Sequence, residues 1–277
     1  SDLVPMSSDP LILLLWAWVA MAGWMALLWL VERVRRNASL ADVGWCVGLV
    51  VVVAGYAWFA TGEFERKLLL VVMAGGYGLR LGGYILFNRV IGKTEDQRYQ
   101  RVRRLWRLDE PFRMFGFFQL QAAAVMLFSL PFLAVMQNPR PPFGLWELAG
   151  VLVWLTGIIG ESLADRQLAV FRAKPWNHDR VCREGLWFFS RHPNYFFEWI
   201  HWWAYVAMAV GSPGWLLTWI GPLVMGLSLT KFTGIPWAEE QALRTRGDDY
   251  RRYQAATSAF IPWWPKTGQS SSAPFKN

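Results

Sequence analysis

Residues 11–36 read LILLLWAWVAMAGWMALLWLVERVRR. Positions 11–31 are apolar throughout, and roughly 20 such residues in a helix cross the ~30 Å hydrocarbon core of a bilayer. The run is too long for the apolar part of a signal peptide, and no small-residue cleavage pattern precedes Arg33, Arg35 and Arg36. The composition agrees. Of the 277 residues 54% are hydrophobic and only 17% charged, with 19 tryptophans, whereas a soluble domain carries about 25% charged residues. Such a surface calls for lipid as its solvent.

Working outward, seven apolar runs appear, at about 11–31, 40–60, 68–88, 114–136, 145–164, 195–211 and 214–233. The last is broken by Pro222 and ends at Gly234–Pro236. The sequence therefore predicts an all-α integral membrane protein of seven transmembrane helices. It forms one domain over 11–265, with a disordered lead or cloning scar at 1–10 and a disordered tail at 266–277.

Charge placement predicts the orientation. The 28 lysines and arginines put three at 33–36, eight at 89–113, six at 165–194 and seven from Lys231 onward. With seven spans these all fall on one face, while Arg66, Lys67 and Arg140 fall on the other and Arg80 lies inside the third span. Cytoplasmic loops carry such an excess, so the N-terminus is expected outside and the C-terminus in the cytoplasm. The net charge of +8 follows from this bias and gives no reason to expect nucleic acid. Residues 89–113 read as an amphipathic helix lying on anionic lipid. Cys46 and Cys182 form no CxxC pair, and His178, His192 and His201 lack zinc-ligand spacing, so no metal is expected.

Ionisable groups within spans are costly and mark cavities or partners. In the third run, GGYGLRLGGYILFNR (75–89), Tyr77, Arg80 and Tyr84 share a helical face. The surrounding glycines suit close helix packing or a flat ligand. Glu161 and Asp165 share a face at the end of the fifth run, and Arg172 joins Asp165 if the helix continues. Asp42 reads as a helix cap or an ion-pair partner, and Gln119 as polar packing between spans or a ligand contact. In SRHPNYFFEWIHWW (190–203), Pro193 suits the first turn of a helix. Arg191, His192, Asn194 and Tyr195 would then rim its amide-rich end, an anion-seeking place. Glu198 follows one turn deeper and His201 three residues on.

These residues carry a resemblance. RHPNYFFE (191–198), TEDQRY (94–99), LADRQLAVFR (163–172) and TGIPWAEEQALRTRGDDYRRYQAATSAFIPW (233–263) resemble the bacterial branch of the steroid 5-alpha-reductase family, over roughly residues 40–265. RHPNY by itself also occurs in sterol C14-reductases and in isoprenylcysteine carboxyl methyltransferases.

The resemblance implies a seven-helix membrane enzyme with NADPH in its cytoplasmic half and a 3-oxo-Δ4 steroid, or a similar flat lipid enone, entering from the bilayer, in a bacterial inner membrane. It implies that Tyr77 and Glu198 hold the substrate ketone. It also implies that Arg80, Asn194, Asp165, Arg172 and, as a looser match, Gln119 contact the cofactor. Arg191, His192 and Tyr195 line the phosphate-seeking rim, and Arg172, Arg98 and Arg103 are candidates for a 2′-phosphate. The second-helix glutamate of animal members has no counterpart, Asp42 being out of register. Their Arg- and His-rich run after the seventh helix is replaced by TGIPWAEEQALR, with Glu239 near a histidine's place. Two other expectations compete: an S-adenosylmethionine-dependent methyltransferase of the isoprenylcysteine type, and a non-enzymatic lipid-binding protein.

Overall fold

A computed structural model describes residues 9–106 and 109–266. The lead and tail expected at 1–10 and 266–277 lie outside them, except for Asp9, Pro10 and Lys266. Among the described residues the fold is all-helical, with a single isolated bridge between Ser190 and Ser258. Six helical stretches are long and apolar enough to cross a membrane, Pro10–Arg35, Leu40–Phe59, Phe64–Val90, Glu110–Met136, Leu145–Ala173 and Trp215–Ala256, as in an integral membrane protein. The expected sixth span is shorter: its helix, Pro193–Met208, has 16 residues. The described residues of the backbone divide into two compact units, one within 9–149 together with 205–221 and the other 150–204 together with 222–266.

In the first unit α1 (Pro10–Arg35) begins where the Leu11 N–H donates to Asp9 Oδ1 at 2.8 Å, with Pro10 in the first turn. Asp9 and Pro10, assigned to the lead, thus cap and open the helix. It ends at Arg36, whose left-handed backbone returns its N–H to the Glu32 carbonyl, with Arg33 and Arg35 in the last turn, where cations suit the helix dipole. Leu11, Leu15, Trp16 and Val19 stay exposed, an apolar face suited to lipid. α2 (Leu40–Phe59) and α3 (Phe64–Ile85) follow, α3 running into a π-helical turn at Leu86–Val90. α4 (Gln97–Trp106) is a short polar helix, α5 (Glu110–Met136) crosses the whole unit, and α6 (Leu145–Ala173) begins here.

One end of this unit is organised by Arg66, 1% exposed. Its guanidinium donates to Glu147 Oε1 from Nε (3.0 Å) and Nη2 (2.7 Å), to the Asn138 carbonyl (2.6 Å) and to the Arg140 carbonyl (2.7 Å). Asn138 Nδ2 donates in turn to the Met208 carbonyl at 3.0 Å, and Ser212 Oγ to the Ala134 carbonyl at 2.7 Å. Gly62 makes the tight turn before α3: its φ is +129°, and a Cβ there would lie 2.1 Å from the Met136 carbonyl oxygen. At the other end Arg103 meets Glu32, Glu95 and Glu110. This cage ties α4 to the ends of α1 and α5.

In the second unit α6 continues to Ala173. α7 (Leu186–Phe189), α8 (Pro193–Met208), α9 (Trp215–Thr218), α10 (Ile220–Leu227) and α11 (Ile235–Ala256) then follow in chain order, α9 belonging to the first unit. Pro222 falls in the first turn of α10, so it starts a helix where the sequence suggested a break in one. α10 runs into a second π-helical turn, Ser228–Phe232. Pro236 likewise opens α11, which carries Glu239, Glu240, Arg244, Arg246, Asp248, Asp249, Arg251 and Arg252. It is a polar helix, set off from the π-helical turn by bends at Thr233 and Gly234, where the sequence places the end of the seventh run.

Candidate functional site

The second unit brings α6 and α8 together through glycine. A Cβ at Gly160 would lie 2.3 Å from the Phe197 ring, and one at Gly157 would lie 2.9 Å from the His201 backbone. Higher positions on α6 thus meet lower positions on α8, as in an antiparallel pair. The register continues to Asp165, whose Oδ1 accepts from Asn194 Nδ2 at 3.2 Å. The same register sets Glu161 and Glu198 at one level, each on the face its helix turns to the other. Glu161 and Glu198 are both buried, at 3% and 9% exposure. His201 Nδ1 lies 2.6 Å from the Glu198 carbonyl oxygen, within the helix.

The remaining acceptor of Asn194 is notable. Its Oδ1 is buried and has no hydrogen-bond partner among the described residues. An unsatisfied buried acceptor costs free energy unless a ligand donor meets it. Arg172 is exposed near the C-terminal end of α6. It lies two turns beyond Asp165 on the same face, roughly 10 Å along the axis.

Arg191 and His192 are fully engaged by their own chain. Arg191 donates from Nε to Glu239 Oε1 at 2.7 Å and from Nη1 to the carbonyls of Gln254 (2.9 Å) and Thr257 (2.6 Å). Its Nη2 is also 2.7 Å from Glu239 Oε1. His192 Nε2 lies 3.3 Å from the same oxygen, and Gln254 Nε2 donates to Glu239 Oε2 at 2.8 Å. Burial would raise the Glu239 pKa, but the hydrogen bonds from His192, Arg191 and Gln254 and the Arg191 charge bring it down to about 2. Burial lowers the His192 pKa, against the pull of Glu239, and because a carboxylate oxygen only accepts, His192 donates from Nε2. Tyr195 stacks on it, with ring centroids 5.5 Å apart.

In the first unit Tyr77 is wholly buried on α3, edge-on to Trp45 at 6.3 Å. Gly78 and Gly82 let α2 approach: a Cβ at Gly78 would lie 2.9 Å from the Cys46 carbonyl oxygen, and one at Gly82 would lie 2.9 Å from Cys46 Cβ. Close packing is therefore their role, whereas Gly75 and Gly83 face open space. Arg80 is half-buried, one turn beyond Tyr77. Gln119 Nε2 donates to the Ala22 carbonyl at 3.2 Å, a tie between α5 and α1.

Arg98 is held by Asp96 (3.1 Å) and Asp42 (3.5 Å). Asp42 also accepts from the Tyr99 hydroxyl at 2.7 Å, which makes it the ion-pair partner foreseen as one of its two roles. Burial and the Asp42 charge raise the Tyr99 pKa well above its ordinary value. Arg103, the third candidate for a 2′-phosphate, sits among its three carboxylates.

Residues 28–257 match the family described as a protein of unknown function, DUF1295. The chain belongs to the DUF1295 family. That family is related to steroid 5-alpha-reductase-like membrane proteins. Comparison with curated proteins and with solved structures gave no match. The DUF1295 match runs from the last part of α1 to the end of α11 and so takes in every candidate site residue above.

Two residues of this DUF1295 chain stand out that the sequence reading left outside its site. Glu161, noted in the sequence for sharing a face with Asp165, is matched to the level of Glu198 only once the α6–α8 register is known. Glu239 was seen as a substitution in a motif, and its partners lie 48 and 47 residues away in sequence.

Proposed function

We propose that the chain is a membrane-embedded, NADPH-dependent reductase acting on the C=C of a 3-oxo-Δ4 steroid or a similarly flat lipid enone. What supports this most is the α6–α8 pair. Asp165 and Asn194 are hydrogen-bonded at 3.2 Å, Asn194 keeps a buried unused acceptor, and Glu198 is buried one turn deeper on the same face. A polar constellation of this kind between apolar helices needs a ligand of matching polarity.

These residues fit the cofactor. Asn194 Oδ1 can accept from an amide or hydroxyl donor, and the Asp165 carboxylate orients the other end of the Asn194 amide. Arg80, Arg172 and Arg98 carry the positive charge for phosphates. When bound, NADPH would supply a hydride to the β-carbon of the enone and become NADP+, and a proton from water would then reach the α-carbon and discharge the enolate. As the C=C is reduced, negative charge gathers on the ketone oxygen, and a donor aimed there gains strength with the charge. The Tyr77 phenol is protonated at neutral pH and donates to that oxygen. Glu198 is the second group assigned to the ketone, and the apolar helices exclude water from the reacting atoms.

Tyr77→Phe removes the donor and should lower the rate of enone reduction by about a hundredfold or more, with NADPH affinity held within about twofold. Turnover is followed by loss of the reduced nicotinamide absorbance. Wild-type rates in Tyr77→Phe remove the phenol from the chemistry. Methyl transfer from S-adenosylmethionine without nicotinamide oxidation supports the methyltransferase reading instead.

The proposal extends to seven crossings in a bacterial inner membrane, with the N-terminus outside and the cofactor on the cytoplasmic side. α8 would be the seventh crossing. Its 16 residues span about 24 Å, and the Lys and Arg distribution supports the odd count.

A further inference from the structure

The start of α8 combines three features that draw anions: a helix N-terminus, the Arg191 guanidinium and the His192 ring. In this structure that place is filled from within the chain. Glu239, on α11, brings Oε1 to the Arg191 and His192 side chains. Oε1 accepts from Arg191 and His192, and Oε2 accepts from Gln254. The Tyr250 hydroxyl stands 3.5 Å from Oε1.

The clamp extends along the backbone. The Arg191 N–H donates to the Ser258 carbonyl at 2.8 Å, Ser190 Oγ to the Phe260 carbonyl at 2.8 Å, and the Trp263 N–H to the Phe189 carbonyl at 2.9 Å. Tyr253 donates its hydroxyl to the carbonyls of Trp187 and Ser190. Residues 187–192 are therefore fastened to α11 and the segment after it along their whole length.

We propose that Glu239 is a resident anion: it occupies the phosphate-seeking rim of α8 in place of a ligand phosphate, and through Arg191 it positions the helix that carries Asn194 and Glu198. The part of this that concerns nucleotide rests on the reductase reading. Arg191 and His192 then serve as struts. Phosphate charge is met by other residues, and α11 is a built-in clamp on the site. The charged and titratable groups facing Glu239 are Arg191, His192 and Tyr250, and all three favour or tolerate a fixed carboxylate.

The test uses full-length protein in lipid nanodiscs. Glu239→Ala is expected to lower the thermal midpoint, and formate at constant ionic strength to restore much of the loss while leaving wild type unmoved. A cleft of about 390 Å³, lined by Arg191, Gln254, Thr257, Trp263 and Lys266 among others, gives a small anion access to Arg191. Glu239→Gln, which keeps the shape and loses the charge, should also be less stable, and Glu239→Asp should recover part of the difference. A Glu239→Gln protein as stable as wild type, or a Glu239→Ala protein indifferent to formate, overturns the proposal.

A second arm measures NADPH binding. If the rim were a phosphate seat, removing its carboxylate competitor would tighten NADPH by about tenfold. The resident-anion reading expects Glu239→Gln to bind NADPH no more tightly than wild type, so tightening overturns it. A wild-type protein that binds no NADPH defeats the reductase reading, and the thermal arm still decides the clamp.

Discussion

Arg66 and Glu239 show what a single buried charge can organise. Arg66 spends its donors on one carboxylate and on carbonyls of the 138–141 loop. Arg66→Met leaves Glu147 buried without its cation, a loss of about 3–5 kcal/mol, visible as a lower thermal midpoint. Pairing it with Glu147→Gln should recover part of that loss, because no uncompensated charge then remains. Glu239 makes a pH prediction. Its folded pKa of about 2 lies below the ordinary glutamate value of 4.5. Its contribution is therefore complete above about pH 4.5 and disappears as pH falls toward 2. Acid unfolding of wild type should thus steepen across that window, and Glu239→Gln should flatten it; identical acid profiles refute the assignment. Neither partnership was legible in the sequence. Arg66 registers there only as a charge on the sparsely basic face, since nothing local points to Glu147 81 residues on.

Elements were more legible, because helix ends have local causes. Pro193, the Arg33–Arg36 cluster and Gly234–Pro236 mark real boundaries, while Pro222, which reads as an interruption, lies in the first turn of α10. The two π-helical turns left no sequence signal. Glycines were ambiguous for a physical reason: a missing Cβ admits a neighbouring helix and a ligand equally well. Only packing distinguishes the cases, with Gly78 and Gly82 against α2 and Gly157 and Gly160 against α8. Gly160→Ala forces a methyl against the Phe197 ring and must push α8 outward, breaking the Asp165–Asn194 hydrogen bond. The expected outcome is a destabilisation of about 1–3 kcal/mol together with weaker NADPH binding. Gly75→Ala, with open space at its Cβ, should leave the thermal midpoint close to wild type. Equal effects at the two positions argue against the α6–α8 contact as the organiser of the site.

At the scale of the whole molecule, hydropathy revealed a helical membrane protein, within which the backbone divides into two compact units. Their boundaries fall inside α6, α8 and α10, where no linker composition marks them. Span number is the sharper question, since six stretches qualify by length and apolarity and the seventh, α8, does not. Charge placement supports the proposed seven: with α8 crossing, the basic 165–194 segment and the basic C-terminal segment share a face, and without it they are on opposite faces. Single cysteines at Thr61, Lys93, Pro141, Asp179, Pro213 and Asp248, in a background lacking Cys46 and Cys182, separate the two cases. With an impermeant maleimide on intact cells, positions 61, 141 and 213 should label at once, and 93, 179 and 248 only after permeabilisation. If α8 does not cross, 213 joins 179 inside and 248 becomes accessible from outside. That pattern would put α11 on the face opposite residues 187–192, and the Arg191–Glu239 ion pair could not form.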